Sequence, residues 1–565
     1  MDDVFTIFVL LLAVAGSAVA RRFVPWRAPM PLLQIACGAL LALPFLGLQI
    51  GLDPELFLLL IISPLLFADA SRISKREFLA HLKPTSLMAL SLVLATVLGL
   101  GAFIAWLVPL PLPIAMALGA ILSPTDAVAV AAMTGRSALP RKVAHLLEGE
   151  GLLNDASGLV AFKFALAAAV TGSFSALDAG LSFLAVAVGG LVLGLAVGWA
   201  VSAARRKIAQ WNIDEPALSV ALLLLTPFAA YLVAERFHAS GILASVAAGL
   251  VTSTTGSNDA SSTADRLLGR SVWAMLEFVF NGVSFVLLGL QLPEITHRIS
   301  VAAAAGTLAW LDCIAYVVAI TATLFAVRFV WCSLHLRGRT FRHALGLAPP
   351  DRALSRAESH AERRTTFPHL VVLTLAGVRG SVTLAAALSL PLTLGDAPFP
   401  ARDLLLFIAA GVILMTLAVG AIVLPIAVRK LPADDPSELE DRRRLARLRV
   451  AEAAVASLAQ TAARLAEGKS PAERRVLTEI AQHLTAIYSN REAAESADPD
   501  IHRSANLFKE YGRDLRLSAV RAERDTLRAM QREHLIDDDL MRELMMEVDL
   551  AETWLLGSLA SPRAR

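Results

Sequence analysis

Two stretches decide how this chain is read: ILSPTDAVAVAAM at 121–133 and EGEGLLNDASGLVAFKFA at 148–165. Each belongs to an apolar run of roughly twenty residues, the length that crosses a hydrocarbon layer about 30 Å thick. Each nevertheless carries a carboxylate, Asp126 in the first and Asp155 in the second. An acid at that depth costs on the order of 2.5–3.5 kcal/mol even on lenient insertion scales, so it points to a path for an ion or a proton. Pro124 supplies no N–H and clashes with the turn before it, which opens the helix over 123–126 and frees carbonyls beside Asp126. At about 1.5 Å per residue, both acids fall roughly 10–12 Å from the same membrane face, because their spans are adjacent and run in opposite directions.

The remainder of the chain fits that reading. Of its 565 residues, 56% are hydrophobic and 18% charged, and the mean hydropathy is +0.62; a soluble fold of that composition would expose too much apolar surface. Windows long enough to span fall at about 4–20, 31–50, 54–70, 85–108, 112–134, 147–172 and 181–203, then at 217–236, 238–254, 271–292, 305–333, 367–391 and 402–428. This predicts an all-α polytopic membrane protein of about thirteen helices. A net charge of +2, with basic residues in short clusters, leaves no groove-sized patch for nucleic acid. Cys37, Cys313 and Cys332 lie in apolar runs without metal-ligand spacing and read as small buried hydrophobes. The first run ends like a signal peptide, but Asp2 and Asp3 stand where a signal needs positive charge, so it is expected to remain as the first span.

Basic residues occupy alternate connections: Arg21/Arg22/Arg27, Arg72/Lys75/Arg76/Lys83, Arg136/Arg141/Lys142, Arg205/Arg206/Lys207, Arg266/Arg270, and the stretch from Arg337 to Arg364. The positive-inside bias then puts the N-terminus outside and the C-terminus inside. A boundary near residue 430 is expected, with a transmembrane domain over 1–430 and a cytoplasmic helical domain over 431–565. The latter is rich in Ala, Leu, Arg and Glu with apolar residues at helical spacing. It carries no phosphate loop, metal cluster or triad, which favours assembly or regulation over catalysis.

The twelfth window holds a second interruption, LAGVRGSVTLAA, with Gly377 and Gly380 around Arg379. If windows 1–6 and 8–13 are two inverted six-helix repeats, the fifth and twelfth are equivalent, and interruptions at equivalent places point to a transporter's site. The competing reading is that the glycines only permit close helix packing while Arg379 snorkels. Glu150 and Asn154, four apart, share a helix face. Arg328 matches Glu150 in depth and either pairs with it, leaving Asp155 to titrate, or reaches the interface alone. Lys163 is two turns past Asp155, about 12 Å away, and either lines a pathway or binds a carbonyl. Glu277 and Asn281 again share a face, suited to interhelical hydrogen bonding or to ion contact.

The strings SPTDAVAV, EGEGLLNDA, YLVAERFHASGILA, LEFVFNGVSFVLLGLQLP and GVRGSVTLAAA occur in this order. Together they resemble the monovalent cation/proton antiporter-1 family, which includes bacterial NhaP-type antiporters and animal sodium/hydrogen exchangers. The resemblance covers about residues 1–430. It implies a homodimer in a cell membrane, that of a bacterial inner membrane being expected, each protomer with a dimerisation domain and a mobile six-helix core. It also implies that Asp155 binds ion and proton, with Asn154 beside it and Thr125 and Asp126 as partners from the broken helix at Pro124. Glu150 and Arg328 would form the core ion pair, and Arg379 would be the arginine of the second broken helix. Two departures stand out. Gly151 replaces a serine common among relatives, and the acid usual after Pro-Leu-Leu-Phe is Ala68, with Asp69 one position later.

Sodium and lithium are hard cations that take oxygen ligands, and Asp155, Thr125, freed carbonyls and water would supply them. No cofactor is expected. Cation and proton then compete for one carboxylate, and the Asn-Asp pair, where electrogenic relatives have Asp-Asp, suggests electroneutral exchange. Potassium/proton exchange through the same residues is the nearest alternative. A cation channel or membrane sensor gated by the C-terminal domain is another. An enzyme is disfavoured, since no nucleophile-base spacing appears at the site.

Overall fold

The computed structural model describes residues 2–24, 29–43, 53–72, 86–134, 139–171, 176–211, 215–255, 263–304, 309–336, 367–394, 397–431, 436–493, 499–533, 535–536 and 538–557. Of the basic connections, Arg27, Lys75, Arg76, Lys83, Arg136 and the stretch 337–364 lie outside them. The chain divides into two compact units, Met1–Asp434 and Asp435–Arg565.

Among the described residues the first unit is helical almost throughout because its apolar sequence leaves backbone N–H and C=O groups no water to bond, and a helix satisfies them within itself. Among the described residues, eight helices are long and apolar enough to cross a membrane, including Pro54–Arg72, Ser86–Leu107, Lys142–Val170 and Arg402–Val428. Several helices are longer than their apolar windows. Helix Arg141–Thr171 begins six residues before its window and helix Thr263–Ala304 overshoots at both ends, because polar turns continue a helix beyond the apolar core. The 238–254 window starts too early: His238 is left-handed at φ 54. Ser240 then caps the helix Gly241–Thr255, its Oγ accepting from Leu243 N at 3.3 Å.

Within this unit the helices gather into two bundles. In the first, Asp2–Ala20, Met30–Leu41, Pro54–Arg72, Ala176–Gln210, Pro216–Arg236, Gly241–Thr255 and Thr263–Ala304 pack on one another. In the second, Ser86–Leu107, Leu112–Ile121, Ala127–Thr134, Arg141–Thr171, Trp310–His335, Ser381–Leu388 and Arg402–Val428 do the same. The first bundle owes its tightness to small residues. A Cβ on Gly194 or Gly198 would enter the backbone at Ala244 or Ala248, and one on Gly38 or Gly289 would enter the facing helix, so these backbones meet directly. The Ser63 and Ser245 hydroxyls lie 2.7 Å apart and 3.3 and 3.2 Å from the Pro227 carbonyl, which accepts from one of them while the other donates to its neighbour, polar links between three helices of that bundle.

The second bundle holds two helices that stop midway. Leu112–Ile121 ends at Leu122, and Ala127–Thr134 resumes after the non-helical residues 123–126. Helix 367–375 ends before the non-helical residues 377–380, and Ser381–Leu388 follows.

The second unit consists of helices Pro436–Ala466, Pro471–Ala493, Pro499–Arg532 and Asp538–Gly557. Gly468, at φ 72, turns the chain between the first two. Ser470 and Glu473 form a reciprocal cap, Ser470 N and Oγ donating to Glu473 Oε2 at 2.9 and 2.7 Å. The last two helices are fastened by Arg524, which reaches Asp549 Oδ1 at 2.6 Å and also Glu552, over a small core of Val520 and Val548.

Candidate functional site

Pro124 and the residues around it make the first break a polar object. Ser123 N still closes a tight turn to Ala120 O at 3.2 Å, after which no helical bond continues. Thr125 N donates to Asp155 Oδ1 at 3.1 Å. Asp126 N donates to Val378 O at 2.8 Å, so the two interruptions cross and join backbone to backbone. The Asp126 carboxylate accepts from Ala129 N at 2.8 Å and thereby caps the half-helix Ala127–Thr134, where the helix dipole also favours negative charge.

The second break is built around Gly377 and Gly380. Gly380 has φ −143 and ψ −143, extended backbone open to any residue, so its importance is space. A Cβ there would collide with the Asp126 carboxylate, and one on Gly377 would lie 2.7 Å from Arg328 Cδ. Both glycines therefore make room for charged side chains. Arg379 is buried at 2% exposure and does not snorkel. Its Nε donates to Leu122 O at 2.6 Å and its Nη1 to Gly377 O at 2.6 Å, while its backbone N donates to Thr416 Oγ1 at 3.1 Å. Arg328 Nε donates to Leu373 O at 2.7 Å. Each broken helix thus ends on unpaired carbonyls and a negative dipole, and each end is met by a guanidinium.

Helix Arg141–Thr171 supplies the third wall. Gly158 abuts the Pro124 ring, and a Cβ on Gly151 would lie 3.3 Å from Thr125 O, so two small residues let this helix lie against the break. Asn154 Nδ2 reaches Ser123 O at 3.2 Å and Thr125 Oγ1 at 3.5 Å. Glu150 Oε1 sits 2.5 Å from Arg328 Nη1 with both heads almost fully buried. The charges touch without the alignment of a good hydrogen bond. Glu150, Asn154 and Asp155 therefore face one place, where Thr125, Asp126 and the arginines also converge. Asn154 Oδ1 and Ser123 Oγ are buried acceptors without a hydrogen-bond partner among the described residues. With the Asp155 carboxylate and Thr125 Oγ1 they make an all-oxygen donor set, the chemistry that hard monovalent cations require.

Residues outside the expected set also bear on the site. Ala68 is 1% exposed and packs with Phe67, Trp273 and the alanines of the first bundle. One residue further, about 100° around the helix, Asp69 is turned from that core and lies close enough for charge interaction with Asp126 and Asp155. Counting from Pro-Leu-Leu-Phe locates this acid one residue late and leaves its role open; the helical face supplies the reason it bears on the site. Lys163 Nζ pairs with Glu235 Oε1 at 3.1 Å, a partner that neither of its expected roles named. Glu277 meets Arg72 at 2.5 Å, an ion contact within the first bundle.

Comparison with known proteins gives a consistent picture. A family model described as "Sodium/hydrogen exchanger, transmembrane" matches residues 7–430. The chain is 40% identical to the uncharacterized Na(+)/H(+) exchanger YjcE of Escherichia coli, over 98% of this chain and 99% of that protein. It is 36% identical to the sodium, potassium, lithium and rubidium/H(+) antiporter of Bacillus pumilus, over 96% of this chain and 77% of that protein. Among solved structures, the sodium proton antiporter MjNhaP1 from Methanocaldococcus jannaschii superposes with a TM-score of 0.56 at 19% identity, covering 76% of this chain and 99% of that one. This last likeness is one of fold.

Proposed function

The chain belongs to the sodium/hydrogen exchanger family of cation/proton antiporters, and from that premise we propose that it exchanges sodium or lithium for protons at Asp155 by alternating access. It is an integral membrane protein of all-α fold. The observation that carries the reading is the Asp155 carboxylate at the crossing of two broken helices, bonded to Thr125 N and surrounded by buried oxygen acceptors.

The chemistry follows from that placement. A cation bound at the carboxylate takes oxygens from Asp155, Thr125 and Asn154; a proton neutralises the same carboxylate, so the two exclude one another. Empty, the site would carry an unpaired negative charge through a region from which water is largely excluded, which is costly. Crossing is therefore coupled to occupancy. Asp126 is committed to its helix cap, and Glu150 to Arg328, leaving Asp155 as the group that exchanges its partner. Asn154 beside it contributes no second charge, which supports electroneutral exchange. Arg379 and Arg328 hold the half-helix ends that shape the site, and Pro124, Gly377 and Gly380 keep both helices broken.

On this reading residues 1–430 are the antiporter, with thirteen spans in two inverted repeats, the N-terminus outside and the protein in a bacterial inner membrane as a homodimer. The helices from 431 onward are a cytoplasmic domain for assembly or regulation. Potassium is the second reading, favoured by the Bacillus pumilus relative, whose name includes potassium and rubidium. The test is proteoliposome exchange followed with a pH-sensitive dye, comparing sodium, lithium and potassium, with and without a potential clamp, for wild type and Asp155→Asn. Cation-driven alkalinisation that needs Asp155 and ignores potential is the expected result. A response to potassium alone would change the ion and keep the site; undiminished exchange by Asp155→Asn would refute the assignment.

A further inference from the structure

Among the described residues two ion pairs cross between the bundles, and both lie at the same membrane face. Lys163, on helix Arg141–Thr171 of the second bundle, pairs at 3.1 Å with Glu235 at the end of helix Pro216–Arg236 of the first. Glu235 Oε1 also accepts from Gly241 N at 3.4 Å, which ties it to the turn before the next helix. Arg298, near the end of Thr263–Ala304 in the first bundle, reaches Asp403 Oδ1 at 3.3 Å in the first turn of Arg402–Val428 in the second. It is oriented by Glu294 Oε1 at 2.9 Å. Lys163 lies eight residues beyond Asp155, about 12 Å along the helix. The half-helix Ser381–Leu388 adds apolar contact on that side, packing across the divide on Pro54–Ile62 and on Thr263–Ala304. The half-helix Ala127–Thr134 packs on helices of its own bundle instead, and Val128 is exposed.

From this arrangement we infer that Lys163–Glu235 and Arg298–Asp403 are a clasp that closes the face opposite the basic loops and breaks each time the site opens there. The inference rests on the alternating-access reading above and adds to it the positioning residues that hold one of its two states. Bundles that slide past one another cannot keep a contact between side chains projecting from both. Because the partners are about half exposed, each pair shifts the balance between states only modestly, at most about fivefold. That suits a contact that has to break in every cycle.

The test is a reversible cross-link. Lys163→Cys/Glu235→Cys, reconstituted as the full chain, is bridged with a bifunctional methanethiosulfonate and assayed for sodium-driven proton movement before bridging, after it, and after reduction. Wild type and each single cysteine variant, treated alike, control for Cys37, Cys313 and Cys332. Bridging should lower exchange by about tenfold or more, since one state is locked, and reduction should restore it. Full exchange by protein shown by intact mass to be bridged would overturn the clasp. Should the cysteine pair itself impair insertion, Lys163→Glu/Glu235→Lys decides. Recovery of the sodium KM toward wild type, relative to Lys163→Glu alone, supports the pair, and an additive loss overturns it. Exchange by the unbridged protein keeps the antiport reading separate: its absence in wild type refutes that reading, whereas indifference to bridging refutes only the clasp.

Discussion

Replacing Glu150 and Arg328 separately and together tests whether this pair holds the structure or takes part in exchange. Both side chains are at most 3% exposed, so neither charge has water to fall back on. Glu150→Met leaves the guanidinium buried without its counter-charge, a loss of about 3–5 kcal/mol. Arg328→Met leaves the carboxylate equally exposed to that penalty and also strips Leu373 O of a charged donor, roughly a further 1.5–3 kcal/mol. The double variant has no unpaired charge and loses only the carbonyl bond and some packing. The order of stability should therefore be wild type, double variant, Glu150→Met and Arg328→Met, with the double variant about 3–5 kcal/mol above Arg328→Met. The imperfect alignment of the two heads puts the result toward the lower end. Reversible unfolding of the solubilised protein in mixed micelles measures the order, and dye-based exchange on the same samples measures function. The double variant should still exchange, though more slowly than wild type because Leu373 O has lost its donor, since on the proposed mechanism neither charge gives up its partner in the cycle. Additive losses, or a double variant less stable than both single ones, would refute the reasoning.

Gly380→Ala forces the Asp126 carboxylate from its place, which should cost about 1–3 kcal/mol and slow exchange. Gly377→Ala meets Arg328 Cδ at 2.7 Å, with Arg328 Nε and Arg379 Nη1 at 3.1 Å, a lesser overlap than at Gly380, and should be milder; thermal shift and initial rates resolve the contrast, and equal effects would count against the packing account. Asp69→Asn should raise the sodium KM severalfold while the maximal rate holds, since Asp69 attracts cations electrostatically and is not bonded to the crossing; complete inactivity would show a more direct role. Hydrogen bonds from Ser470 hold the Glu473 carboxyl below its ordinary value of 4.5. A depressed carboxylate stabilises above the unfolded value and loses that contribution as pH falls through the folded one. Protection of the amides at the start of helix Pro471–Ala493, taken relative to their intrinsic exchange rates, should therefore fall below pH 4.5 in wild type and be lower but flat in Glu473→Gln.

Much of the fold lay open to inspection in the sequence because hydropathy reports burial in lipid directly and proline reports a missing donor. Asp155, Pro124 and the Gly377–Gly380 segment announce themselves as polar or helix-breaking groups where apolar helix is required. Other features depend on which face of a helix a residue occupies. Asp69 is visible in the sequence one position past Ala68, but its role turns on which helical face it occupies, about 100° around the helix, and the motif does not state that. Lys163 and Glu235 are 72 residues apart, and no local pattern links them. The division of duties between two acids was equally hidden: only the bond from Ala129 N reveals Asp126 as a cap.

Arg379 and the Leu122 carbonyl it bonds are 257 residues apart. At 5–20 residues per second, a ribosome needs about 13–50 s to travel between them. The first broken helix is therefore made, and handed to the bilayer, long before the guanidinium that completes it exists. Until then its free carbonyl end must rely on water or lipid headgroups, so the early spans can be inserted yet unfinished. A chain truncated anywhere before residue 379 would remain in that condition permanently. Insertion and completion are thus separate events in the life of the nascent protein, and the interval between them is when membrane quality control could tell a fragment from a whole.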